Sequence, residues 1–411
     1  MIKASFILCF LMIANVAHAE PGISQVSGPF SHDGSIQIMG NNFGSKDPAA
    51  PVLWDNCSVN QPLSVFYDAY KPKASQQGDY YNIKYRQAGF RNVDPPNKYI
   101  RNFIAGAHAI NRGTDGDEAG GNVGIGKNIT SHKYFINFYY RLDPAFDDEA
   151  NLLYEDNLKE LVLSDTAGQF YPDGVEKFGY AAWCGSTVPD SNHRSGIRLA
   201  RIPISPQNQE LPYACSNDQY IVYHNNPVNG WIKMQWEGNY DFEHNSPQIS
   251  LTTYPDGQRT YQSHYGDGIT VLEYARGYWP GFPKENDLKF IGLGGFGRIP
   301  RENNGINSFR YFAAIYMDNT HARVMLGDQS EYNRCTIMEP QIPSAWSNTS
   351  VSVTVNLGGL QDSSTAYLYV FDANNQHNQN GFPVALVHDP SNAPYPPENL
   401  RVVEDDANQS E

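Results

Sequence analysis

Residues 134–142 read YFINFYYRL, a run in which side chains of different character alternate. Successive side chains of a β-strand point to opposite faces of the sheet. The stretch therefore predicts one long strand with two distinct faces. The apolar face carries Ile136, Phe138, Tyr140 and Leu142, and the more polar face carries Asn137, Tyr139 and Arg141.

The same period of two recurs along the chain, whereas no segment keeps the period of a helix. With 35 Gly and 27 Pro, turn residues are frequent, and this combination predicts an all-β sandwich. The best strand candidates are Ser35–Met39, Tyr134–Leu142, Leu158–Ser164, Gly196–Ile202, Trp231–Glu237, Ile249–Tyr254, Phe309–Met317, Arg323–Leu326, Ser350–Asn356 and Ala366–Phe371.

Residues 1–19 have the pattern of a secretory signal peptide. Lys3 precedes a short apolar run, and Ala17 and Ala19 are the small residues that a signal peptidase reads. No later stretch is apolar for the roughly 18 residues that a membrane-spanning helix needs. We therefore expect a secreted protein, periplasmic or extracellular, without membrane insertion.

The charge balance narrows the class of partner. The chain carries 44 Asp and Glu against 29 Lys and Arg, a net charge of −15, which repels nucleic acid and anionic lipid. Aromatic residues make up 13% of the chain, with 27 Tyr, and aromatic rings suit stacking on sugars. A polysaccharide or glycoconjugate is the expected partner, and the oligomeric state is left open.

Two terminal segments resemble the halves of one IPT/TIG immunoglobulin-like domain. Residues 23–30 and 34–44 are similar to its opening strands, and Ser350–Asn356 with Ala366–Asn374 are similar to its closing strands. Neither half is long enough to bury a core alone. The resemblance implies a small Ig-like domain formed by residues 20–57 and 335–388, followed by a Pro-rich acidic tail at 389–411.

The segment between the two halves, residues 58–334, resembles a concanavalin A-like jelly roll, the architecture of legume lectins, laminarinases and several polysaccharide lyases. The stretches Tyr134–Leu142, Asn157–Leu161, Trp231–Gly257 and Arg310–Asp318 carry this resemblance. The Glu-x-Asp-x-x-Glu strand of retaining hydrolases is missing from the sequence. Tyr311–Tyr316 has the shape of a lyase strand but lacks its Lys.

The polar strand faces are the candidate site. If they belong to the concave sheet, they form a groove that binds acidic groups and stacks on sugar rings. If they belong to the convex sheet, they are a solvated outer surface, and the sequence leaves both readings open. The predicted glycan-binding residues are Asn137, Tyr139, Arg141, Arg198, Lys233, Gln235, Glu237, Arg310 and Tyr316, with Trp183 and Trp279 on rim loops.

The expected function is therefore non-catalytic glycan binding at the cell surface or in extracellular matrix. One alternative is a lyase that cleaves a uronic-acid polymer by β-elimination through Tyr316, Arg141, Arg198 and Lys233. A second alternative is a structural adhesion or matrix protein. No cofactor is required. Asp115, Asp117 and Glu118, in a Gly-rich loop, are candidates for a structural Ca²⁺ site or for a plain acidic surface loop.

The four cysteines outside the signal peptide allow three pairings. Because exported proteins keep disulfides and the terminal segments are expected to belong together, we predict Cys57–Cys335 and Cys184–Cys215. Peptide mapping under non-reducing conditions should recover both pairs. A Cys57–Cys184 peptide would contradict the proposed domain organisation, and four free thiols would remove the disulfides altogether.

Overall fold

The structure is a computed structural model that describes fifteen stretches of the chain. These are residues 19–55, 88–91, 103–108, 123–142, 157–158, 161–164, 180–184, 196–203, 220–222, 231–239, 248–254, 261–264, 288–295, 297–298 and 308–387. Side-chain surroundings are described for residues 19–55, 129–141, 231–238 and 313–387. The predicted signal peptide core and the acidic tail lie outside the described residues.

The described residues form 24 β-strands and two short 3₁₀ turns, at Tyr332–Arg334 and Gly358–Leu360. The strands in chain order are β1 (Gly22–Ser27), β2 (Ser35–Asn41), β3 (Leu53–Asp55), β4 (Ala88–Arg91), β5 (Phe103–His108), β6 (Val123–Ser131), β7 (Lys133–Leu142), β8 (Asn157–Leu158), β9 (Leu161–Ser164), β10 (Tyr180–Cys184), β11 (Gly196–Pro203), β12 (Tyr220–Val222), β13 (Ile232–Asn239), β14 (Gln248–Tyr254), β15 (Tyr261–His264), β16 (Leu288–Gly295), β17 (Gly297–Arg298), β18 (Ser308–Asp318), β19 (Arg323–Gly327), β20 (Met338–Pro340), β21 (Ile342–Trp346), β22 (Ser350–Thr354), β23 (Thr365–Phe371) and β24 (Phe382–Ala385).

Every strand pairing is antiparallel, and the predicted all-β fold class is confirmed. The large sheet has the order β15-β14-β13-β7-β18-β5-β4, with β3 also paired to β18. A second sheet has the order β12-β11-β10-β9-β16-β6. A two-stranded ribbon joins β17 to β8.

Of the two remaining sheets, one combines strands from both ends of the chain and the other consists of C-terminal strands. One has the order β1-β2-β22-β21, and the other has the order β20-β19-β23-β24. Ile36 lies opposite Val353, and Ile38 lies opposite Val351. These side chains share one apolar core with Val324, Leu326, Leu368 and Val370 of the second sheet. We call this pair of sheets the terminal sandwich; its IPT/TIG assignment stays a prediction.

Strand β7 lies at the centre of the large sheet, between β13 and β18. Tyr139 lies opposite Lys233, and Asn137 lies opposite Gln235. Directly opposed residues of an antiparallel pair project to the same face. The alternation in residues 134–142 thus places these four polar side chains together on one face of the large sheet.

A β-bulge in β18 changes one of the predicted faces. Arg310 lies opposite Leu142, whereas Tyr316 lies opposite Asn137, because the register shifts between Ala313 and Tyr316. The bulge contains Ala314 at φ 48°, a left-handed conformation that is uncommon for a residue other than glycine. The sequence alternation put Arg310 and Tyr316 on one side; the extra residue puts the two positions on opposite faces.

Candidate functional site

One face of the large sheet is covered by the terminal sandwich. We call it the covered face, and it consists of Phe135, Asn137, Tyr139, Lys233, Gln235, Glu237 and Tyr316. Asn137, Lys233, Gln235 and Tyr316 are each at most 3% exposed. Phe135 and Tyr316 share a core with Met325, Met338, Tyr369 and Phe371 of the terminal sandwich.

The sheet β20-β19-β23-β24 can cover this face because both of its own faces are apolar. In β19, Val324 and Leu326 point into the terminal sandwich, while Met325 packs against the large sheet. In β23, Leu368 and Val370 likewise point inward. The strand β19 is therefore buried on both sides, and every one of its residues is buried.

Glu339 is the centre of a buried polar cluster on the covered face. Its carboxylate forms an ion pair with the Lys233 ammonium and accepts a hydrogen bond from the Tyr139 hydroxyl at 2.5 Å. The Gly359 amide also donates to it, at 2.7 Å. The Lys233 ammonium lies 4.5 Å from the centre of the Tyr139 ring, so the cation is also in contact with an aromatic face.

Burial lowers the pKa of Lys233, and the attraction of Glu339 opposes that shift. The neighbouring backbone leaves no space for a side chain, since Gly358 has a φ of 45° and a Cβ there would collide with the Glu339 carboxylate. Tyr139 and Lys233 therefore do recognise a carboxylate, as the sequence suggested, but it is one that the chain itself supplies.

Arg323 forms the second polar contact of the interface. Its guanidinium lies between the rings of Phe135, at 4.2 Å, and Phe371, at 3.8 Å. It donates to the Glu237 carboxylate at 2.9 Å and to the Asn375 side-chain oxygen at 2.7 Å. A planar, always charged guanidinium suits such a stacked and hydrogen-bonded position better than an ammonium does.

The third contact joins Lys46, which follows β2, to Asp318, which ends β18. Their side chains are 2.9 Å apart and each is 1% exposed. The Tyr316 hydroxyl donates to Asp318 at 3.0 Å, and the Asn319 amide donates to it at 2.9 Å. Burial raises the pKa of Asp318 to about 6, against the opposing effect of Lys46.

An open groove, one of the two readings that the sequence left open for the polar face, is not present at the covered face. The alternation correctly predicts that Asn137, Tyr139, Lys233 and Gln235 share one face of the sheet. The terminal sandwich, however, buries these side chains. Tyr316 is 0% exposed, and burial raises its pKa well above the usual value. A buried tyrosine with a raised pKa, whose hydroxyl already donates to a carboxylate, is poorly placed to abstract a substrate proton.

Other predicted residues are described only in part. Arg141 is half-buried at the end of β7. For Arg198, Arg310 and Trp183 only the backbone is described, in β11, β18 and β10. Trp279 and the acidic loop residues Asp115, Asp117 and Glu118 lie outside the described residues, so the rim platforms and the Ca²⁺ site remain predictions.

The predicted disulfides also remain predictions. The Cys335 side chain is buried, with its sulfur 3.9 Å from the Tyr369 hydroxyl. Cys57 and Cys215 lie outside the described residues, and so does the side chain of Cys184.

The sequence pattern does not indicate four of the anchoring side chains, namely Lys46, Asp318, Arg323 and Glu339. It indicates Glu237, but as a sugar ligand. One signal was available: Arg323 stands at the start of the apolar run VMLG, at a position where the pattern predicts a strand. An arginine there requires a buried anionic partner, but nothing in the local sequence says which residue supplies it.

The described part of the chain has neither a membrane-spanning helix nor a cluster of metal ligands. Within these residues there is no helix of the length and apolarity that a bilayer crossing requires. The same residues contain no cluster of three or more His, Cys, Asp or Glu side chains that could hold a metal ion.

No protein-family model and no curated protein matches this chain. Several solved structures show distant similarity. An alginate lyase in complex with an alginate trisaccharide is 10% identical with a TM-score of 0.29, covering 65% of this chain and 97% of the lyase. The potassium-bound carbohydrate recognition domain of Emp46p is 9% identical with a TM-score of 0.30, covering 62% and 98%. A β-glucanase catalytic domain from Podospora anserina is 11% identical with a TM-score of 0.30, covering 65% and 95%. These scores are too low to assign the chain to any of their families or activities.

Breaking the Lys233–Glu339 pair should destabilise the fold strongly. In Glu339→Gln the Lys233 ammonium is left buried without its anion, and we expect a loss of about 3–5 kcal/mol in the free energy of unfolding. In the double variant Lys233→Met, Glu339→Gln, part of this loss should be recovered. Urea denaturation monitored by fluorescence measures all three proteins.

The matched control is Glu331→Gln, which removes an exposed carboxylate 2.9 Å from Arg334. Exposed ion pairs contribute about 1 kcal/mol or less, so this variant should behave like the wild type. Equal losses in Glu331→Gln and Glu339→Gln would contradict the buried position of Glu339.

His321 should make stability depend on pH. Its ring Nε2 lies 2.9 Å from the Gly238 carbonyl oxygen, and burial lowers the pKa of the ring to about 4. Since the unfolded ring titrates near 6.5, the unfolded state binds the extra proton between these values. The free energy of unfolding should therefore fall as the pH drops from about 6.5 to 4, by up to roughly 3 kcal/mol from this group.

Asp318 acts in the opposite direction in part of this range because its folded pKa is raised. The test is therefore the difference between wild type and His321→Gln, in which an amide can still donate to Gly238. The variant should lose the His321 contribution, so the difference in stability between the two proteins changes across pH 4–6.5. Parallel pH profiles would show that His321 is not buried in this way.

Proposed function

We propose that this chain is an exported, non-catalytic glycan-binding protein that acts at the cell surface or in extracellular matrix. The observation that carries the non-catalytic part is the closure of the covered face. Lys233 is paired with Glu339 and Tyr316 is fully buried, so neither reaches a polymer in this arrangement. The β-elimination alternative depended on these two residues for its charge neutralisation and its base.

The glycan part of the proposal is supported by composition and fold class. The chain combines 27 Tyr and 6 Trp with only 18% charged residues, and amphipathic rings offer both a stacking surface and hydrogen bonds. Because the covered face is closed, the sugar contacts are assigned to the remaining candidates. These are Arg141, Arg198 and Arg310, together with the predicted rim residues Trp183 and Trp279.

A glycan array with the full chain tests the proposal, followed by titration of any ligand found. Trp183→Ala and Trp279→Ala should each weaken binding by about two- to tenfold through lost stacking. Tyr316→Phe, at a buried position, is the matched control and should leave the affinity unchanged.

Incubation with uronic-acid polymers, followed by ultraviolet absorbance of unsaturated products, tests for lyase activity. Product that accumulates with the wild type and is lost in Tyr316→Phe would overturn the non-catalytic assignment. Absence of binding to every glycan would instead favour an adhesion or matrix protein whose partner is another protein.

A further inference from the structure

Two buried amides lie side by side on the covered face. Asn137 and Gln235 are directly opposite each other on β7 and β13, and they are 0% and 1% exposed. Gln235 donates through its amide nitrogen to the Tyr332 hydroxyl at 3.1 Å. We call the two side-chain amides the amide site.

Three polar atoms of the amide site have no hydrogen-bond partner among the residues that the structure describes. They are the oxygen and the nitrogen of Asn137 and the oxygen of Gln235. Burying an amide without a hydrogen bond is costly, and buried polar atoms in native proteins are almost always satisfied. An apolar side chain in place of Asn137, between Phe135 and Tyr139 on the same face, would avoid this cost.

The surrounding charges indicate a neutral ligand. Lys233 and Glu237 flank Gln235 on the same face of β13, and each is already paired, with Glu339 and Arg323 respectively. Among the described residues, no unpaired charge is therefore left beside the amides to attract an anion or a cation. The site offers two acceptor oxygens and one donor nitrogen, which is the complement of a molecule that both donates and accepts.

We propose that the amide site binds one or two buried water molecules that bridge Asn137 and Gln235. Water supplies two donors and two acceptors, and buried water characteristically makes about three hydrogen bonds to such groups. Through the bond from Gln235 to Tyr332, this hydrated site links the two central strands of the large sheet to the terminal sandwich.

A double-mutant cycle with Asn137→Leu and Gln235→Met tests the bridge. Each single variant should raise the equilibrium constant of unfolding by about tenfold. The double variant should raise it by less than the product of the two factors, because water that has lost one amide is no longer held by the other. Factors that simply multiply, or single variants as stable as the wild type, would overturn the proposal.

Tyr332→Phe is the control, since it removes the Gln235–Tyr332 bond and leaves both amides in place. It should leave the coupling between Asn137 and Gln235 intact. A crystal structure of the wild-type protein gives a result that does not depend on any variant folding. Electron density within hydrogen-bonding distance of both the Asn137 and the Gln235 oxygens is expected, and its absence would refute the site.

Discussion

Three buried charge pairs between the terminal sandwich and the large sheet are the constraint on which the structure depends. The sheet supplies the cation in Lys233–Glu339 and the anion in Arg323–Glu237 and Lys46–Asp318. Removing charges from water costs several kcal/mol per ion unless each finds its partner. If the terminal sandwich packed on the large sheet one residue out of this position, charges would be buried without their partners. The three pairs therefore define how the two parts are positioned.

One of the pairs, Lys46–Asp318, lies where the chain crosses between the two parts. Lys46 lies between β2 and β3, and Asp318 lies just before β19. The Lys46–Asp318 ion pair thus holds both crossings close to the large sheet. Phe135 and Tyr316 of the large sheet pack against Met325 and Phe371 of the terminal sandwich, and these contacts bury apolar surface between the two parts.

The sequence alone was sufficient for the all-β class and for the faces of β7 and β13, because alternation depends only on neighbouring residues. It could not reveal the bulge at Ala314, because no residue type in that segment indicates a bulge. Nor could it reveal that the polar face is buried, since Glu339 is 106 residues from Lys233 and 200 from Tyr139. A buried polar face and a binding groove have the same pattern until the covering segment is known.

Amine labelling of the lysines under native conditions, followed by mass spectrometry, tests whether the covered face is closed. As whole residues, Lys46 and Lys233 are 7% and 3% exposed, and we expect both to react only after denaturation. The same chain unfolded in urea is the reference for full reactivity. Labelling of Lys233 in the native protein at the rate seen in urea would show that the face is open, and would contradict the account.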